Sequence, residues 1–162
     1  MTKRERMLIL ALKKNDMAFL HKAFEELSPQ DKFDANWHLQ ALMWQLERCL
    51  RGDTRRLLVN MPPRSGKSIA ASVVFVALAL GFNPKLRDNE VRTETEFRTT
   101  AGGGRVTTSM GATLTGRGAD FIILDDPINA EDVHSPTMRD RAERWFKESL
   151  LTRLNQKKTG VV

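Results

Sequence analysis

The chain has 162 residues, 41% apolar and 28% charged, with 26 Lys and Arg against 20 Asp and Glu. That is enough for a single buried core and too little charge bias for a disordered chain. The one cysteine, Cys49, excludes an intrachain disulfide and a cysteine-based zinc site, and no apolar run reaches the ~20 residues of a membrane span.

The N-terminus pairs Lys3, Arg4 and Arg6 with Met7 to Leu12, like a signal peptide. The apolar run is short, however, and Lys13-Lys14 follow it without a small-residue cleavage pattern, so it reads as a cytosolic helix. Thr2 with Glu5 offers a capping box for it. A second helix is expected after Asp16 as its cap, with Phe19, Leu20, Ala23, Phe24 and Leu27 at helical spacing and Ser28-Pro29 as its stop. A third should run from after Asn36 to Gly52, burying Leu39, Leu42, Leu46, Cys49 and Leu50, with Gly52 in the left-handed position past its end.

The period then changes. Leu57 to Met61 suits a buried parallel strand, and Lys67 to Phe82 a helix apolar nearly all round and so deeply buried, ended by Asn83-Pro84. Phe97 to Ser109 predicts a hairpin turning at Gly102-Gly103-Gly104. Phe121 to Asp125 is a second buried strand. Ser135-Pro136 opens a helix with the stripe Met138, Ala142, Trp145, Phe146, Leu150 and Leu154. Gly160-Val161-Val162 reads as the first step of a third strand. Strands alternating with helices argue an α/β fold. Residues 1–55 form an N-terminal helical segment and 56–162 the core that carries the chemistry.

Met61-Pro62-Pro63-Arg64-Ser65-Gly66-Lys67-Ser68 lies between an apolar strand and an apolar helix, the setting of a phosphate-binding loop. Backbone N–H groups and the positive helix end converge on one point there, which favours phosphate. Pro63, Arg64, Ser65 and Gly66 would wrap the phosphates. Lys67 would reach the β- and γ-phosphates of ATP, and the Ser68 hydroxyl would ligate Mg²⁺. The usual first glycine is replaced by Met61. Such a loop requires an acidic residue at the end of another buried strand, and Phe121-Ile122-Ile123-Leu124-Asp125-Asp126-Pro127 supplies two. Asp125 would hold Mg²⁺, and Asp126 would orient or deprotonate the attacking water. Arg64 is a candidate for stabilising charge on the transferred phosphoryl group. The excess positive charge sits elsewhere: residues 1–60 hold 11 basic and 8 acidic side chains, 61–135 hold 8 and 9, and 136–162 hold 7 and 3.

Asn60 to Ser68, Thr100 to Arg105, and Thr113 to Asp120 running into Ile123 to Pro127 together resemble the large subunit of tailed-phage terminases; Asn36-Trp37-His38 and Leu151 to Asn155 fit the same family. The resemblance covers nearly the whole chain. It implies a P-loop NTPase of the ASCE type, a mostly parallel sheet flanked by helices, here incomplete. It further implies a Mg²⁺-dependent ATPase that drives double-stranded DNA into procapsids in the bacterial cytoplasm. Its partners would be a terminase small subunit, a portal protein and further copies of itself, with no membrane partner. In the family an aromatic–polar pair before the loop contacts adenine; Trp37 and His38 occupy that place, although Trp37 also suits a core position. Arg117, in Gly116-Arg117-Gly118, faces nucleotide or DNA, or only makes a turn.

The departures are an expected internal shortening after Leu86, no coupling motif after the next strand, and no nuclease domain. In the ASCE layout the strand after the acidic motif (Walker B, residues 121–126) inserts between the two motif-bearing strands, and here the stub Thr159 to Val162 would have to fill that place. The alternative readings are an inactive truncated prophage remnant and a fragment of another P-loop DNA-dependent ATPase such as a helicase.

Overall fold

The structure is a computed structural model that describes residues 15–80, 93, 95–99, 102–112, 114, 116–128 and 131–162. The expected first helix and the Asn83-Pro84 stop lie outside the described residues. Helix α1 spans Asp16–Leu27 and is capped one residue earlier than expected, by the Asn15 side chain accepting from the Ala18 amide at 3.0 Å. Helix α2 spans Trp37–Arg51 and ends as its sequence dictates, with Gly52 at φ 80° and its N–H turned back to the carbonyls of Arg48 and Cys49.

After the candidate loop, helical backbone runs over residues 67–79, as π-helical turns at Ile69–Val74 and then α3, Phe75–Ala79. Its burial is one-sided, contrary to the expectation from its composition: Ala70, Val74 and Phe75 are buried, whereas Val73 is exposed. Apolar composition gives no direction to a helix; α1 and α2 pack on one side, most of the remaining residues are half-buried, and Val73 and Ala79 are exposed. Strands β1, Glu96–Arg98, and β2, Gly104–Val106, form the expected hairpin, antiparallel with Phe97 opposite Arg105. Helix α4 spans Pro136–Arg144, with the Ser135 hydroxyl accepting from the Met138 amide at 3.4 Å and Pro136 in the first turn. It continues through π-helical Trp145–Leu150 into a 3₁₀ turn, Leu151–Arg153. Of its predicted stripe, Leu150 and Leu154 are buried and the other four residues half-buried.

The β1–β2 hairpin is the one sheet with a continuous ladder among the described residues. The segments read as parallel strands meet through shorter stretches of backbone pairing. Val162 donates to the Arg55 carbonyl at 2.9 Å and accepts from the Leu57 amide at 3.0 Å. Val161 donates to the Asp120 carbonyl at 3.0 Å and accepts from the Ile122 amide at 2.9 Å, a parallel bridge to Phe121. Successive residues therefore face opposite sides, so 161–162 lie between 55–57 and 120–122. A second parallel bridge joins Ala119 to Leu154. On the outer side of the first segment Leu58 is 95% exposed, unlike the strand buried on both faces that its sequence suggests.

One core links these parts: Phe19 and Leu20 of α1, Leu39, Leu42, Met43, Leu46 and Cys49 of α2, Ala70, Val74 and Phe75, and Val161. Phe75 meets Phe121 edge-to-face at 5.4 Å, tying the helix after the loop to the acidic segment. No helix among the described residues is long and apolar enough to cross a membrane. Leu20 is fully buried, so Leu20→Ala is expected to cost about 2–5 kcal/mol in chemical denaturation, whereas Leu58→Ala should stay within about 0.5 kcal/mol of the parent. Equal losses at the two sites would contradict this burial pattern.

Candidate phosphate-binding site

The loop between Met61 and Ser68 is shaped by two left-handed residues, Arg64 at φ 59° and Gly66 at φ 80°. Glycine takes this conformation freely, whereas arginine is strained by roughly 1–2 kcal/mol. Alternation of this kind folds successive backbone N–H groups into a concavity suited to anions. Helix formation begins at once, because the Ala70 amide donates to the Gly66 carbonyl at 3.0 Å. The floor of the turn is α2: a β-carbon on Gly66 would stand 3.1 Å from Leu39 Cδ2. The Ser65 hydroxyl is buried with no hydrogen-bond partner among the described residues. An unmade bond of this kind costs about 1–3 kcal/mol, and native structures keep few of them.

The two motifs meet at Lys67 and Asp126. Lys67 Nζ donates to both carboxylate oxygens of Asp126, at 3.0 and 3.1 Å, across 59 positions of sequence. The Lys67 side chain is 24% exposed and that of Asp126 77%, so the pair contributes at most about 1 kcal/mol to folding. Asp126 is itself left-handed, at φ 43°. Asp125 and Ser68 are exposed, and neither side chain makes a hydrogen bond or ion pair among the described residues. No group of three or more His, Cys, Asp or Glu that could hold a metal ion occurs among the described residues. The donor set expected for Mg²⁺ is of a different kind, one hydroxyl and one carboxylate completed by phosphate and water oxygens, and Ser68 and Asp125 are unpaired groups of those two types.

Pro63 and Arg64 are exposed on the loop surface. Trp37 is 78% exposed at the start of α2, which removes the core alternative for it, and its ring meets that of His38 edge-on at 6.3 Å. Leu39, two residues on, is the residue beneath Gly66, so this aromatic pair stands on the turn of α2 that supports the loop. Arg117 acquires a partner that sequence reasoning missed: its Nη1 donates to Glu96 Oε2 of β1 at 2.7 Å, and Arg98 donates to the other oxygen. The acid alternates with apolar and basic residues in a strand, and nothing local marks it as the anchor of a distant loop. Lys147, on the basic face of the last helix, pairs with Glu143.

Arg117, ahead of Arg98, holds the Glu96 carboxyl below its ordinary value of 4.5. A depressed acid contributes stability that is present above the unfolded value and lost as pH falls through the folded one. Thermal unfolding between about pH 3 and 6 should therefore fall less steeply in Glu96→Gln than in the parent, with the two curves converging at the acid end. Parallel curves would contradict the pair.

Compared with protein-family models, with curated proteins and with solved structures, the chain matches none.

Proposed function

We propose that this chain is an ATP-hydrolysing module of the kind found in terminase large subunits, with the P-loop of an ASCE-type α/β fold as its nucleotide site. The observation that carries the reading is the meeting of Lys67 with Asp126. A strand–loop–helix containing Gly-Lys-Ser and an apolar segment ending in two acids are separate features in sequence. Their charged ends lie in contact, with Val161 and Val162 bonded between the segments that bear them.

In this reading the backbone from Pro63 to Ser68 wraps the phosphates of ATP, and Lys67 neutralises charge on the β- and γ-phosphates. Ser68 and Asp125 would hold Mg²⁺, which when bound would supply positive charge to offset that of the phosphates. Asp126 accepts the proton of the water that attacks the γ-phosphorus as the bond to the ADP oxygen breaks, leaving ADP and inorganic phosphate. Arg64, exposed on the loop, would supply a guanidinium to meet charge on the transferred group. Trp37 and His38 supply an exposed aromatic edge for adenine.

Double-stranded DNA is the proposed polymer substrate. The basic excess of residues 136–162 offers charge for phosphate backbones. Small-subunit and portal proteins, and further copies of the chain, are the partners this reading entails, in a bacterial cytoplasm.

Mg-ATP at a hundredfold excess over its Kd should raise the melting temperature by about 5–10 °C, and Lys67→Ala should abolish the shift. Asp126→Asn should keep the shift while losing about 10²–10⁴-fold in phosphate release. An unshifted parent melting curve would overturn the nucleotide site, and undiminished turnover by Asp126→Asn would overturn the role of that carboxylate.

A further inference from the structure

We propose that Asp126 is a counter-ion lock on Lys67 in the nucleotide-free chain, and that this lock makes nucleotide binding depend on the divalent cation that accompanies it. The inference rests on the nucleotide reading of the loop and adds to it a control of when the loop accepts phosphate.

An ammonium group has three donors, and Lys67 spends two of its directions on one carboxylate. A polyphosphate that takes more than the one donor left over must displace Asp126. Without a metal, the displaced carboxylate would stay beside the incoming phosphates, with a second carboxylate, Asp125, adjacent in the chain and unpaired among the described residues. Two like charges sharing one ammonium repel at a few ångströms. A nucleotide that arrives with a divalent cation brings its own neutralising charge, so the carboxylates lose a lysine and meet a cation.

The geometry also makes the lock reversible. The Asp126 side chain is largely exposed, and its ion pair is the one bond that holds it among the described residues. Water can therefore take over its solvation as it leaves. One exchange then does two things: it hands Lys67 to the phosphates, and it frees the carboxylate proposed to take a proton from water. While the pair is formed, that carboxylate is occupied and the loop lysine is neutralised.

The left-handed backbone at Asp126 selects the variants. Asparagine and glycine both accept φ 43° with little strain, so Asp126→Asn and Asp126→Gly remove the charge while keeping the turn. Their ATP affinity should be measured by calorimetric titration, in EDTA and in Mg²⁺, beside the parent and Lys67→Ala. Both Asp126 variants should bind metal-free ATP about three- to tenfold more tightly than the parent, the scale of an exposed ion pair and its lost repulsion. Their preference for Mg-ATP over metal-free ATP should shrink by the same factor. If the parent and both variants bind metal-free ATP equally, while Lys67→Ala loses binding, the lock is wrong and the nucleotide site stands. If no form shows saturable binding with or without Mg²⁺, the nucleotide reading and the lock fall together.

Discussion

The four backbone hydrogen bonds of Val161 and Val162 are the constraint on which the rest of the candidate site depends. Each residue spends its donor and acceptor on one neighbouring segment, Val161 on 120–122 and Val162 on 55–57. The segments that lead into Gly66-Lys67-Ser68 and into Asp125-Asp126 are thereby held by the same two residues. Side-chain packing reinforces the frame. Val161 is part of the core, and Phe121 beside it meets Phe75 of the helix that follows the loop. Without this bonding, Lys67 and Asp126 would lie at the ends of segments joined only by the Phe75–Phe121 packing, and an exposed ion pair is too weak to draw them together by itself.

The site is built from two kinds of support. Apolar packing fixes its floor, where Leu39 of α2 lies beneath the turn at Gly66 and leaves little room for a larger residue. Polar bonding fixes its flanks. Glu96 draws Arg117 onto the hairpin, and the Asn155 side chain donates to Asp120 at 2.9 Å at the start of the acidic segment. Strain is concentrated between these supports, in left-handed Arg64 and Asp126 and the unbonded Ser65 hydroxyl. Such costs persist where surrounding structure enforces them, and they cluster where a ligand is to be met.

Much of this was legible locally. Helix α2 ends where Gly52 permits a left-handed turn and α4 begins where Ser135 and Pro136 favour it, because each boundary is decided by residues within a few positions; the hairpin forms as expected, with Gly104 already paired in β2 opposite Arg98 and not in the turn. The candidate loop and the acidic pair were visible for the same reason. The misreadings share a cause as well. The largely apolar helix and the short apolar strand suggest burial on every side, yet Val73 and Leu58 are exposed. Hydrophobicity says that a face can be covered; which face is covered depends on elements far away in sequence. The pairing of Glu96 with Arg117 joins residues of unremarkable local context and has no periodic signal at all, and the direct contact of Lys67 with Asp126 likewise depends on elements far apart in sequence.

Phosphate binding by the loop around Gly66 and Lys67 is the step on which the proposed function stands. Amide hydrogen exchange on the whole chain, with and without saturating Mg-ATP, tests it at the backbone groups concerned. Slower exchange is expected at Ser65, Gly66, Lys67 and Ser68 and at Asp125 and Asp126, with little change in the β1–β2 hairpin. Unchanged exchange at residues 65–68 under saturating nucleotide would contradict it.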